Sequence, residues 1–193
     1  LGGKFEHLEG QLSTRFAFFH TTKYNERNRD ADTVNACNYV LSGKRHAAGI
    51  EFDAAGRINP FWDMYLSYAY IPTAKVDASS GAAGTEPIGA RPGLTPRHSA
   101  SLWSSPKPRS DVRLGAGLNY RSSDRPVGLA QSSTIQAPSF VTIDAMAEII
   151  EGPWAYKLNL VNLTNKHYAD LLYRGHYVPG RPRTLQLSAS YNF

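Results

Sequence analysis

The sequence predicts an all-β chain of about nine antiparallel strands in an up-and-down meander, forming a segment of a transmembrane β-barrel. Three observations carry that expectation. The last ten residues, 184–193, alternate without exception. Leu185, Leu187, Ala189, Tyr191 and Phe193 fall on one face of a strand, and Thr184, Gln186, Ser188, Ser190 and Asn192 on the other. An outer-membrane strand has this apolar face toward lipid, a polar face toward the lumen and an aromatic at the interface. Second, the links between alternating segments switch regularly between short and long. Third, 11 Tyr, 8 Phe and 3 Trp supply girdles at two interfaces, while no stretch approaches the ~18 uncharged apolar residues of a membrane helix.

Each strand follows from a period of two. Residues 4–8 form a short segment closed by the turn pair Glu9 and Gly10. Residues 11–24 place Leu12, Thr14, Phe16 and Phe18 on one side. A polar stretch over 25–39 carries five charges between Glu26 and Asp32 and reads as a loop. Residues 41–58 set Ala48, Ile50, Phe52 and Ala54 against Gly49, Glu51 and Asp53, and Asn59 with Pro60 turns the chain. Trp62, Met64, Leu66, Tyr68 and Tyr70 share a face in the next strand, opposite Asp63, Tyr65 and Ser67. A loop rich in Gly, Ala, Pro and Ser over 73–96 leads to a weaker strand at 97–105. Val112, Leu114, Ala116, Leu118 and Tyr120 then alternate with Arg113, Gly115, Gly117, Asn119 and Arg121. After a loop at 122–138 come 140–149, a turn at 151–153, and a strand bearing Trp154, Tyr156, Leu158 and Leu160. The last loop, 162–182, leads into the terminal strand.

Short turns on one side and long loops on the other are the habit of outer-membrane barrels, with the turns periplasmic. Phe193 then lies on the periplasmic side, and counting back starts the first strand outside. Bacterial barrels of one chain have even strand numbers and start in the periplasm. An odd count therefore predicts missing upstream strands. The opening residue, Leu1 rather than Met, agrees with a piece of something longer. Two other readings stay open: a small self-contained outer-membrane barrel with a structural or adhesive role, and a soluble β-sandwich.

The net charge is +5, but Lys and Arg are scattered through the loops and not clustered on one face, which argues against nucleic acid as a partner. Cys37 is alone and can form no internal disulfide. The six His residues show no pair at metal-ligand spacing, and His98 beside Ser99 and Ser101 is only sequence proximity. The chain is expected to be no enzyme.

Four motifs then resemble those of TonB-dependent siderophore receptors. The run 41–52, with Gly49 and Glu51, resembles the family's G-x-E-x-E/D strand, and Pro96, His98, Leu102 and Trp103 resemble its P-x-H-x-x-x-L-W strand. Asn159, Asn162, Leu163, Asn165, Lys166 and Tyr168 resemble N-x-x-N-L-x-N-K-x-Y. Gly180, Pro182 and Arg183 match the G-x-P-R lead into the last strand, and the variant at 174–180 is similar to the ferric-catecholate branch. The resemblance implies the C-terminal part, residues 1–193, of a roughly 22-stranded barrel in the outer membrane of a Gram-negative bacterium. The family's plug domain and TonB box are not in these residues. It implies uptake of a ferric siderophore, catecholate favoured, with TonB acting through the N-terminal region that this stretch lacks. Iron would arrive bound to the siderophore, with no resident cofactor or metal. Outer-membrane lipid, lipopolysaccharide and the barrel assembly machinery are the other implied partners.

A ferric catecholate is anionic and aromatic, so Arg and aromatic side chains in outer loops would suit it. The last loop offers Tyr173, Arg174, His176 and Tyr177 as ligand contacts, with Tyr168 nearby. Aromatic belts and barrel closure call for the same residue types, and that alternative stays open. Arg27, Arg29, Arg91 and Arg125 are weaker candidates that could equally meet lipopolysaccharide phosphates or water. Arg15, Glu51, Asp53, Arg113, Arg121, Asp144, Glu148 and Lys157 are expected to form a cross-strand ladder facing the lumen.

Overall fold

The computed structural model describes residues 1–31, 38–82, 84–128, 135–173 and 175–193, and among these there is no helix. Eleven strands form: β1 (Gly2–His7), β2 (Leu12–Arg29), β3 (Tyr39–Asn59), β4 (Trp62–Ala78), β5 (His98–Pro106), β6 (Val112–Arg121), β7 (Phe140–Glu151), β8 (Trp154–Val161), β9 (Ala169–Tyr173), β10 (His176–Pro179) and β11 (Thr184–Tyr191). Nine of them make one antiparallel meander in the order β1-β2-β3-β4-β5-β6-β7-β8-β11. β9 and β10 pair separately as a hairpin inside the last long loop. β1 and β11 do not pair, so the sheet is open at both edges. A second packed sheet of the kind a sandwich needs is absent among the described residues.

Register lines the alternating residues into rows. Phe16, Phe52, Tyr68, Ala100, Tyr120 and Val141 are successive cross-strand partners. A second row runs Ala54, Leu66, Leu102, Leu118 and Ile143. A third runs Leu114, Ala147, Leu158 and Leu187. Toward the short turns the same face ends in Trp154 and Tyr191, whose rings meet edge-on at 4.9 Å, and Tyr191 meets Phe193 at 5.2 Å. This apolar band is uncovered: Leu185 is 64% exposed and Leu187 73%. Among the described residues the buried apolar side chains are only Ala54, Val76, Met146 and Leu172. A water-soluble domain does not leave such an area bare, whereas a bilayer covers it. The apolar face is the lipid face of a barrel wall.

The opposite face is polar and corresponds to the lumen. Part of the expected ladder forms there: Arg15 lies 3.4 Å from Asp53, and Arg113 lies 3.8 Å from Glu148. Arg121 departs from it. Its guanidinium sits over the Phe140 ring at 4.9 Å and donates to the carbonyls of Ala169 and Asp170. These two carbonyls at the start of β9 take the place of a carboxylate of the ladder as its partners. Asp144 likewise accepts hydrogen bonds from Asn119 and Asn162.

The strands also run past their expected ends. β2, β3 and β4 have 18, 21 and 17 residues, against about 10 for a tilted bilayer crossing. The polar stretch after Tyr24 continues as strand because its charges pair across it. Glu26 accepts from Lys23 and from Arg45, at 3.1 and 2.6 Å, and Arg27 stacks on Tyr39 at 3.8 Å. His46 engages Asp77 at 2.8 Å and stacks on His20. In water such pairs replace the apolar alternation that marks a strand inside lipid. β4 crosses Pro72 at an irregularity, where residues 71–72 face Gly49 out of step. Proline is tolerated at such a bulge because it owes no ladder hydrogen bond.

The long loops interlock above the polar face. The Arg91 guanidinium donates to the carbonyls of Ile71, Pro72, Thr95 and Pro96, which pins loop 79–97 across the ends of β4 and β5. Buried Glu86 accepts from the Gly93 amide at 2.6 Å and lies 3.0 Å from Arg45. Asp124 ties this loop to the next by accepting from the amides of Thr95 and Arg125. Burial pushes the Asp124 carboxyl above its usual range, and those two amides pull the other way without cancelling it.

Candidate functional site

The hairpin β9–β10 stands at the long-loop end and bounds a cavity of about 420 Å³. Its sequence explains its form. Leu172 is the buried anchor, while Tyr173, His176 and Tyr177 stay exposed around the bend at Gly175. The Tyr173 and His176 rings are cross-strand partners and stack at 4.8 Å with 9° between planes. Tyr168, just before β9, stacks on Phe140 at 4.3 Å. The far wall comes from the preceding long loop, through Pro126, Ala137 and Pro138. The backbones of Asp124 and Ala137 form an antiparallel bridge at the base of that loop.

Three of the four expected contacts, Tyr173, His176 and Tyr177, therefore line one cavity. Arg174, the fourth, and Cys37 lie outside the described residues. Of the weaker arginine candidates, Arg91 donates to four carbonyls, while exposed Arg27 lies over the Tyr39 ring. The sequence reading missed the contribution of 135–138. Its residues face the hairpin only through tertiary contact, and no local signal marks that. The lining suits flat aromatic rings, with tyrosine hydroxyls and imidazoles as the hydrogen-bonding groups.

Gly180 shapes this cavity by close approach. The Tyr168 ring lies where a Cβ at residue 180 would stand, and the Gly180 amide donates to the Tyr168 carbonyl at 2.9 Å. Substitution Gly180→Ala is expected to push Tyr168 off Phe140 and to cost about 1–3 kcal/mol, as overpacking does. Urea unfolding in detergent micelles measures it, and an unchanged midpoint would refute this packing.

The loop excursion is rooted on Asn162, 1% exposed and at φ +51°. Its side-chain amide donates to the carbonyls of Lys166 and Arg181, at 2.9 and 2.8 Å, and its oxygen accepts from the Lys166 amide at 2.8 Å. Asn165 accepts from the Arg183 amide at 3.0 Å. Two asparagines of the motif thus close the base of the loop, which is the bridging role their side-chain chemistry suggests.

Comparison with known proteins decides the family. The model described as "TonB dependent receptor-like, beta-barrel" matches residues 1–191. The chain belongs to this TonB-dependent receptor β-barrel family. A probable TonB-dependent receptor, BfrD of Bordetella pertussis, is 33% identical over 99% of this chain and 26% of its own length. The catecholate siderophore receptor Fiu of Escherichia coli is 28% identical over all of this chain and 25% of its own length. Among solved structures, the siderophore receptor PiuA from Acinetobacter baumannii superposes with a TM-score of 0.85 at 25% identity, covering 97% of this chain and 27% of that one. The closed form of Fiu from E. coli K12 gives 0.83 at 26% identity, over 100% and 27%. The chain spans about a quarter of the length of the curated relatives it matches. As part of a TonB-dependent receptor barrel, its described residues supply nine wall strands, with the loop mouth above their polar face.

Proposed function

We propose that this chain is the C-terminal portion of an outer-membrane receptor that takes up ferric siderophores, with the aromatic mouth as part of the ligand site. The observation that carries the reading is the cavity itself, in which Tyr173, His176 and Tyr177 stand together at the loop end of a barrel wall. The ligand class is a ferric catecholate, whose flat rings suit stacked tyrosine and imidazole. The name of the relative Fiu, a catecholate siderophore receptor, supports it, while another relative from Yersinia enterocolitica is named for ferrioxamine. Iron is cargo here, held by the siderophore's own oxygens. In this reading the loops face outward and Phe193 the periplasm. TonB acts through a plug carried outside these residues, and the lipid face meets outer-membrane lipid and lipopolysaccharide. The terminal strand ending on Phe193 is what the barrel assembly machinery would engage.

The test uses the receptor that carries this chain. Tyr173→Ala and Tyr177→Ala should each weaken binding of a ferric tris-catecholate by about tenfold, the equivalent of one aromatic contact of ~1.4 kcal/mol. Arg174→Ala should weaken it by loss of a charge partner for the anion. Fluorescence quenching titration reads the affinity. Unchanged affinity in all three variants would assign the loop to barrel closure alone.

A further inference from the structure

A polar chain crosses the lumen wall and ends at the root of the hairpin loop. The Ser101 hydroxyl on β5 donates to Asn119 Oδ1 on β6 at 2.8 Å. Asn119 Nδ2 donates to Asp144 Oδ2 on β7 at 3.3 Å. Asp144 Oδ1 accepts from the Asn162 backbone amide at 2.7 Å, just where β8 ends. Asn162 in turn clamps both ends of the excursion through Lys166 and Arg181. Leu163 N–H to the Ile143 carbonyl, at 2.7 Å, is the adjacent backbone tie.

Asp144 has an unusual duty for a wall carboxylate. No ion pair engages it among the described residues. Its two oxygens instead receive two neutral N–H donors from opposite sides. A carboxylate can accept on both arms with no donor of its own to place, and each such bond is charge-assisted. The amide it fixes belongs to a residue at positive φ, where strand geometry has ended and only side-chain contacts define the direction of the chain. Its hydrogen bonds stop at the loop root, some ten residues before Tyr173.

We propose that Asp144 is the positioning residue for hairpin β9–β10, fixing through Asn162 the pose in which Tyr173, His176 and Tyr177 line the mouth. The ligand class in this statement rests on the function proposed above; the positioning does not. The inference also explains why an acidic residue stands among neutral neighbours of the polar row, Asn119 and Thr142.

The test is a pair of nitroxide labels in the receptor carrying this chain, with Cys37→Ser to clear the background. One sits at Val178→Cys on β10 and a reference at Ile88→Cys in loop 79–97, both exposed positions. Asp144→Ala should turn the label at 178 to a mobile spectrum and leave the label at 88 unchanged. Affinity for a ferric tris-catecholate should drop about tenfold with it. Asp144→Asn should behave like the parent, because the Asn119 amide can flip and Ser101 can accept instead of donate. Ser101→Ala alone should also be silent. Asp144→Leu keeps the side-chain volume but offers no acceptor to the Asn162 amide, and should mobilise the label at 178 as Asp144→Ala does, a match that a packing role alone would not give. It also serves if Asp144→Ala fails to fold. An unmoved label at 178 in both Asp144→Ala and Asp144→Leu would overturn the proposal. Equal mobilisation of both labels would overturn it too, as damage to the wall. A loosened hairpin with unchanged affinity would keep the positioning and remove the catecholate ligand.

Discussion

Asn162→Ala is expected to be the most damaging single substitution in the loops, costing on the order of 4 kcal/mol. Three hydrogen bonds vanish at once, and their partners, the Lys166 amide and the carbonyls of Lys166 and Arg181, face a site closed to water. Each stranded partner carries a penalty of about 1–3 kcal/mol. Alanine adds strain of its own at φ +51°, a conformation that asparagine tolerates better. Asn162→Gly separates the two causes. It should recover only the conformational part, about 1 kcal/mol, and leave the larger loss in place. Urea unfolding in detergent micelles reads both. Full recovery by glycine would show that the clamp contributes nothing and the backbone everything.

Gly56→Ala should cost about 3 kcal/mol or more and lower the yield of folded barrel. The residue sits at φ +144°, in a region essentially reserved for glycine. An added Cβ would overlap the Gln11 carbonyl oxygen and stand 2.8 Å from the Leu12 Cα. Both obstacles are backbone, so no side chain can swing away. That carbonyl also accepts from the Arg57 amide at 2.8 Å, and Gly56 is the register partner of Leu12. Pushing it aside would open the β2–β3 ladder at the short-turn end. The fraction of chain that refolds into micelles as a heat-modifiable band measures the effect. An alanine variant that refolds like the parent would show that the ladder yields there at little cost.

Within the bilayer the strands were legible because one face must satisfy lipid. Leu102, Leu118 and Ile143 sit in one row for that reason, and strict alternation follows from it. Outside the bilayer that constraint ends, and legibility ends with it. Residues 25–29 look like a loop, yet Glu26 and Arg45 hold them in a strand through charge that period-two reading does not register. β9 and β10 were hidden for a second reason. Five and four residues are too few to show a period, and Leu171 and Leu172 stand side by side instead of alternating. The site was legible in its residue types, since Tyr173, His176 and Tyr177 share one short stretch. Its second wall was not, because the register of Asp124 with Ala137 is a fact of three-dimensional packing. Asp144 was read as a rung of a charge ladder. Its partner is the backbone amide of Asn162, and a sequence does not display which amide a carboxylate meets.

The excess length of β2, β3 and β4 has an electrostatic consequence. About 11 residues of β3 beyond the membrane reach some 36 Å along the strand, or about 25 Å in height at a 45° tilt. The Debye length at physiological salt is about 8 Å. The upper end of this wall, with Arg27 over Tyr39, therefore stands about three screening lengths clear of the charged headgroups. β5 to β8, at 8–12 residues, are much shorter, so the strand wall steps down along the sheet from β4 to β5. Charged side chains at that height act in bulk salt water, beyond the reach of the membrane's own surface field.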